Sequence, residues 1–363
     1  MSLKNALKLL GAHLFRWIGF PVEPDLIKIG NPTKESPVLL TCNFNLTVKR
    51  VLKHLKNLDC YLLIAPSKGI NVWCGACGDD FTTDSVISII KTSDISDLVS
   101  HKTLILPQLS APGIDPIIIK KKTGWNVKFG PVYAKDIPEY INNDFKKTLK
   151  QTKIRFPLYQ RIEMGNTYFI MLFIVVSLIY WIVSFFLPFL DLILYLNTVL
   201  ILGGMIYGSL LLLPNIPIKL GKPKVWLFEL IVVALIIIFD ILILQNLGYF
   251  IWNLIVSLLT ALILSEDFNG LTSTSKSELG EKTWNKGKQK MKVIFGEYKL
   301  QPYGEIKIDR EKCIGCKVCI EICPRIMYAF NNEDNKVNLK LPEKCINCNA
   351  CVNRCLAQCL KIL

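Results

Sequence analysis

At 363 residues, with 51% apolar side chains and a mean hydropathy of +0.37, the chain has room for two or three domains and is too apolar for a wholly water-exposed protein. Forty-three Lys and Arg against 29 Asp and Glu leave a formal charge of +14; no stacking or base-reading motif accompanies it, so nucleic acid is set aside and the basic residues beside apolar runs point to anionic lipid. Thirteen cysteines, eight of them in ferredoxin spacing, call for reduced thiolates in a reducing, anaerobic compartment and argue against a secreted disulfide framework.

Residues 1–20 set Lys4, Lys8 and Arg16 among Leu7, Leu9, Leu10, Leu14, Phe15, Trp17 and Ile18. No uninterrupted apolar core or small-residue cleavage site follows, so a signal peptide is not expected. The segment reads as an amphipathic helix, lying on a membrane interface or packed on the next domain.

From about residue 37 to 145 short apolar runs (38–41, 61–65, 103–107) alternate with helical patterns (48–58, 85–91, 136–142). That alternation predicts an α/β domain, Rossmann-like with a largely parallel sheet, over 21–160. Asp80, Thr82, Thr83 and Asp84 offer N-caps to the helix that follows them. Cys42 and Cys60 read as buried strand thiols, and Lys120 to Lys122 as a solvated helix face. His13, His54 and His101 lack metal-ligand spacing.

Within this domain, residues 69–78 gather two thiols, an indole and several small residues. A strand ahead (60–65) and a helix behind (84–91) place Cys74 at the carboxyl end of a sheet strand, where open α/β sheets bind ligands. Gly75 and Ala76 put no bulk beside the sulfur, so a large flat ligand could reach it.

At these residues the sequence resembles the corrinoid protein of the mercury-methylation system, a family distantly related to the corrinoid iron–sulfur proteins of one-carbon metabolism. The family signature Asn-Val-Trp-Cys-Ala-Ala-Gly-Lys is matched by Asn71, Val72, Trp73, Cys74 and Ala76, while Cys77 and Gly78 replace its Gly and Lys. Val22-Glu23-Pro24, Ser36-Pro37-Val38-Leu39, the stretch 104–109, Ala111-Pro112-Gly113 and Phe129-Gly130-Pro131-Val132 extend the likeness over most of residues 20–140. The resemblance implies a helix under the lower face of a corrin, bound by Asn71, Val72, Trp73, Cys74, Gly75 and Ala76. Cys74 would be the axial cobalt ligand and the catalytic residue. Cys77 reads as a structural thiol in place of glycine, a soft-metal relay, or the second member of a redox pair with Cys74.

Four apolar stretches follow, 168–187, 192–213, 225–244 and 248–264, each near the ~20 residues that cross a hydrocarbon core. They predict a helical transmembrane domain over 161–266. Lys146, Lys147, Lys150, Lys153, Arg155 and Arg161 precede the first, Lys219, Lys222 and Lys224 separate the second from the third, and Lys276, Lys282 and Lys286 follow the fourth. The other two loops have no Lys or Arg, so both soluble domains are expected on the cytoplasmic side of a multi-pass inner-membrane protein. Glu229 and Asp240 sit near the ends of the third stretch and are expected to meet water or headgroups. Gly203-Gly204 is read as a point of close helix packing. Residues 267–305 read as a polar linker.

The last segment, 306–363, holds Cys313, Cys316, Cys319 and Cys323, followed by Pro324, and then Cys345, Cys348, Cys351 and Cys355. Two C-x2-C-x2-C-x3-C runs predict an α+β bacterial-type ferredoxin with two [4Fe–4S] clusters, each fourth cysteine serving the other cluster. One set is then Cys313, Cys316, Cys319 and Cys355, the other Cys345, Cys348, Cys351 and Cys323; Cys359 reads as a buried spare thiol. The mercury-methylation family pairs its corrinoid protein with a separate two-cluster ferredoxin, and here a similar one is fused to the same chain. The resemblance thus implies corrinoid-dependent methyl transfer, with Hg(II) as the family's acceptor, a methyl-donor protein or methyl-folate pathway, a low-potential electron donor and membrane lipid as partners. Two other classes stay open: a membrane-bound ferredoxin without corrinoid, and a thiol-based metal-binding protein using Cys74 and Cys77.

Overall fold

The computed structural model describes residues 19–155, 157–187, 190–212, 221–267, 306–323, 325–342, 345 and 350–362, together with Gly11. The amphipathic reading of the first residues and nearly all of the linker lie outside them. Two compact units form: one contains the α/β domain and the ferredoxin-type module, the other the apolar helices.

The α/β domain is a five-stranded sheet in the order β1-β3-β2-β4-β5, with β1 Asp25–Ile29, β2 Val38–Cys42, β3 Cys60–Ala65, β4 Thr103–Leu106 and β5 Asn126–Phe129. Every residue of β2 and β3 is buried, as expected of central parallel strands covered on both faces. Cys42 and Cys60 are among them, fully enclosed. β1 runs antiparallel to β3, with Asp25 opposite Ile64, and its exposed Asp25 and Lys28 mark it as an edge strand. The remaining pairings are parallel.

Alternate residues of the strands feed two apolar layers. Leu40, Leu63 and Leu104 pack with Val86, Ile90, Ile119 and Trp125 on one face; Leu39, Leu62 and Ile105 pack with Val51, Leu55 and Tyr140 on the other. Full burial of each such Leu or Ile contributes about 1.5–3 kcal/mol, so a charge at Leu63 would undo the layer. Helices α1 Asn45–Leu55, α2 Val72–Cys77, α3 Thr83–Thr92 and α4 Pro116–Thr123 supply much of the cover, with Ile95 and Tyr140 coming from the short helices Ile95–Leu98 and Ile137–Asn142. Of the four caps anticipated for α3, Thr82 serves, sharing a capping box with Ser85. Lys120 to Lys122 occupy the exposed last turn of α4, and Gly124 ends it at φ +77°.

The second unit consists of helices Leu158–Ser184, Leu192–Leu212, Gly221–Ile236 continued as a π-helical segment Ile237–Ile243, and Leu247–Asp267. All four are long and apolar enough to cross a membrane. The first begins ten residues before its apolar run because its polar opening turn is anchored: Arg161 Nη1 donates to Leu211 O at 2.8 Å, at the carboxyl end of the second helix. Of the glycine pair expected at a helix contact, Gly203 faces Phe169 at 3.5 Å from an ideal Cβ and Gly204 has nothing within 4 Å; the closest approaches fall at Gly208, against Phe228 at 2.3 Å, and Gly165, against Tyr207 at 2.8 Å. Glu229 and Asp240 are buried, at 2% and 0% exposure, so the expectation that water reaches them is overturned. The bundle turns both side chains inward.

In the ferredoxin-type module β6 (Ile306–Ile308) pairs with β9 (Leu360–Ile362), and β7 (Tyr328–Asn331) with β8 (Lys336–Leu339), both antiparallel. Short helices Val318–Ile322 and Ala350–Asn353 each follow or carry cluster-spaced cysteines.

Candidate functional site

α2 opens with Asn71, whose side chain accepts the Cys74 N–H at 3.0 Å and so caps the helix. The helical period then divides its residues. Val72, Gly75 and Ala76 face the core, whereas Asn71, Trp73 and Cys77 are half-exposed and Cys74 is exposed. The small residues therefore serve the helix's seat rather than access to the sulfur: a Cβ on Gly75 would lie 3.0 Å from Phe81 Cβ, beneath the helix. Of the six residues expected to bind a corrin, only Asn71, Trp73 and Cys74 have surface to offer. Burial, and secondarily the neighbouring Cys74, push the Cys77 thiol up to about 12.

Asn43, which sequence reasoning passed over, sets the turn ahead of α2. Its Oδ1 accepts the N–H of Ser67 at 2.9 Å and of Gly69 at 3.0 Å, and its Nδ2 donates to Val22 O at 3.0 Å. Gly69 takes φ +73°, and a Cβ there would meet Pro21 N at 2.5 Å. At 5% exposure Asn43 meets its hydrogen-bonding needs within the protein, and the one signal in the sequence is a polar residue directly after the largely apolar run 38–42. On the far side, α2 rests against the 3-10 turn Gln108–Ser110 and the loop after it. A Cβ on Gly113 would come within 2.5 Å of Ala76 O and 2.8 Å of Phe81 O, so that loop touches the backbone of α2 directly.

The ferredoxin-type module grips the same loop. Arg354, buried, pairs with Asp115 at 3.3 Å and donates to Ala111 O at 3.5 Å. Gln108 Nε2 donates to Ile322 O at 3.3 Å, and Lys147 Nζ donates to Gln108 Oε1 at 3.1 Å and to Glu321 O at 3.0 Å. Ala111 is packed into the module's apolar core, and Phe129 lies against it. Ile322 and Arg354 flank Cys323 and Cys355 in sequence, so the seat is built from the cluster-bearing segments themselves.

Cys313, Cys316, Cys319 and Cys355 line one small pocket, partly open to solvent, with Ile314 and Leu360 among its walls. Cys359 lines it too, its sulfur 3.3 Å from that of Cys355. Burial and then the surrounding cysteines push the Cys319 thiol up to about 12. Cys323, Cys345 and Cys351 form a second neighbourhood beside Tyr328, and burial pushes Cys351 up to about 12. Cys348 lies outside the described residues. Among the described residues no three ligating side chains converge on a single-ion position. Four thiols spread around a cavity with apolar walls instead suit a polynuclear iron–sulfur centre.

Comparison with known proteins agrees with this division. Residues 19–141 match the family of the CO dehydrogenase/acetyl-CoA synthase delta subunit, and residues 305–356 match the 4Fe-4S dicluster domain. The protein is thus multidomain, with an α/β domain of that likeness, apolar helices and a ferredoxin-type module. Among individual proteins, the chain is 35% identical over 125 residues to the acetyl-CoA decarbonylase/synthase complex subunit gamma of Methanopyrus kandleri, covering 34% of this chain and 27% of that one. The subunit gamma of Methanocaldococcus jannaschii is 35% identical over 134 residues (36% and 27%), and that of Methanosarcina acetivorans 33% over 128 (34% and 27%). The chain spans about a quarter of the length of these curated relatives.

Proposed function

We propose that the chain is a membrane-anchored, corrinoid-dependent methyl carrier with its own ferredoxin-type electron supply, both soluble parts facing the cytoplasm. The observation that carries this reading is an exposed thiol, Cys74, on the outward face of a capped helix whose supporting loop is held by the iron–sulfur module. The likeness of residues 19–141 to the acetyl-CoA synthase family supports a corrinoid at this place.

A bound corrinoid supplies a cobalt that takes up and releases methyl groups and needs a strong reductant to stay competent. The chain's own residues do the rest. Cys74 would hold the metal through its sulfur; Asn71 fixes the first turn of α2 so that this sulfur stands clear of the core; Trp73 would offer an aromatic surface beside it. Gly75 and Gly113 let α2 lie close against Phe81 and the loop, so the sulfur is held on a rigid support. The eight-cysteine module holds two [4Fe–4S] clusters as the electron source, fed by a low-potential donor. Partners are a methyl-donor protein or a methyl-folate pathway, and anionic lipid on the inner face of the membrane. Hg(II) is the acceptor that the mercury-methylation resemblance implies. Cys77, in place of that family's glycine, is the residue on this face that would alter acceptor choice.

An anaerobic visible spectrum with metal analysis tests this on wild type and Cys74→Ala supplied with a corrinoid. About one cobalt and about eight iron per chain are expected, with corrin bands that shift in the variant. Eight iron with no cobalt would leave a membrane-bound ferredoxin in its place. Tight Hg(II) binding that needs Cys74 and Cys77 but yields no methylated product would leave a thiol-based metal-binding protein.

A further inference from the structure

The third apolar helix carries Glu229 and Asp240, eleven residues and so about 16 Å apart along its axis. Both are enclosed by the bundle, at 2% and 0% exposure. No Lys, Arg or His occurs from 165 to 218 or from 225 to 275, so the basic side chains of these helices, Arg161, Lys222 and Lys224, are confined to the cytoplasmic ends of the first and third. A carboxylate at hydrocarbon depth without a counter-charge is strongly disfavoured and takes up a proton or a cation.

The two acids have different surroundings. Asp240 sits in the π-helical segment Ile237–Ile243, a distortion that frequently marks functional positions. Asn197 Nδ2 donates to its Oδ1 at 3.1 Å and Asn253 Nδ2 to its Oδ2 at 2.8 Å. Thr198 Oγ1 lies 3.3 Å from Asn253 Oδ1 and accepts the Trp252 indole N–H at 3.0 Å. Three helices thus meet on one carboxyl. Glu229, by contrast, has both carboxyl oxygens buried, with the Ser257 hydroxyl of the fourth helix as its polar neighbour. The fourth helix faces this row with a stripe at helical spacing, Tyr249, Asn253, Ser257 and Thr260, all buried. At its outer end Tyr249 OH donates to Asp191 Oδ2.

A metal ion is a poor occupant of either place. The neighbours of Asp240 turn N–H groups toward it, not the oxygen ligands that a hard cation requires, and among the described residues no three His, Cys, Asp or Glu side chains gather around an ion position. A proton neutralises either carboxylate, and the two amide N–H donors at Asp240 hold its ionised form when the proton leaves. We propose that Glu229 and Asp240 are proton-binding stations of a path through the four-helix unit, with Asp240 toward the outer face and Glu229 toward the cytoplasm. The orientation rests on the reading above that these helices span the membrane with both soluble parts inside.

The test uses the full chain reconstituted in liposomes. Dicyclohexylcarbodiimide, which modifies protonated carboxyl groups in apolar surroundings, is expected to label Glu229 and Asp240 near neutral pH, read by peptide mass spectrometry. Potential-driven proton uptake is expected to fall about tenfold or more after labelling, and likewise in Glu229→Gln and Asp240→Asn. Wild-type uptake no greater than that of protein-free vesicles, absence of label from both acids, or protection of the label by sodium would each overturn the proposal. The labelling arm needs only wild-type protein, so a variant that fails to fold leaves the proposal testable. Release of the chain from membranes by alkaline carbonate would instead defeat the membrane-spanning reading itself.

Discussion

Arg354, with 6% of its side chain exposed, reaches out of the ferredoxin-type module to Asp115, the residue whose carboxylate caps α4 by accepting the N–H groups of Ile117 and Ile118. One ion pair thereby ties a cluster-bearing segment to the loop that supports the cysteine helix. Truncation at Arg354→Ala removes the donor from both Asp115 and Ala111 O. Because Asp115 stays about one-third exposed, the cost is put at about 1–3 kcal/mol rather than the larger penalty of a fully buried pair. Hydrogen exchange is expected to accelerate in residues 108–115 while β2 keeps its protection. Unchanged exchange at 108–115 would show that this pair does not hold the module.

Gly113 makes the second contact worth breaking. Gly113→Ala places a methyl group where the carbonyls of Ala76 and Phe81 already stand, so α2 or the loop must shift. Such overpacking costs about 1–3 kcal/mol. Thermal melting at lower temperature together with weakened corrinoid uptake is the expected pair of results. Lowered stability with full uptake would place the loop's role in folding alone.

The thiols of the α/β domain should separate by reactivity. Cys74 is exposed, Cys77 is half-buried with its thiol pushed up to about 12, and Cys42 and Cys60 are enclosed in the sheet. Iodoacetamide near neutral pH is expected to modify Cys74 first and to leave the other three largely intact, since the thiolate is the reacting species. Bound corrinoid should then shield Cys74. Preferential modification of Cys77 would contradict this order.

Lys147 gives the docked module a pH dependence. Burial lowers its ammonium from an ordinary 10.5 to about 8, against an opposing pull from Glu321. The freed side chain therefore binds more protons than the docked one between about pH 8 and 10.5, so docking strengthens as pH rises through that window and is weakest below it. Lys147→Met is expected to flatten the dependence, measured by the protection of residues 108–115 corrected for intrinsic exchange. A stability that falls across the same window would refute the assignment.

Much of this architecture is legible in the sequence. The all-apolar strands β2 and β3, the alternation with helices, the four apolar runs and the doubled cysteine spacing each impose a pattern that few other structures satisfy. What escaped was set by tertiary context. β1 and β5 are half-polar edge strands whose alternation is too short to register. Asn43 carries no motif; only its burial beside Ser67 and Gly69 gives it meaning. Gly75 looked like room for a ligand because sequence cannot tell which side of a six-residue helix faces the core. The inward turn of Glu229 and Asp240 depends on which neighbouring helices offer Asn253 and Ser257, a matter decided between segments.

The seat formed by Gln108, Ala111, Asp115 and Lys147 has a consequence for scarcity. A module joined to its site by the same chain meets that site at an effective concentration that dilution cannot lower. Two separate proteins would fall apart as copy number dropped. This one keeps its iron–sulfur module engaged in a cell that makes only a few copies, and its proportion of module to site stays at one however expression drifts.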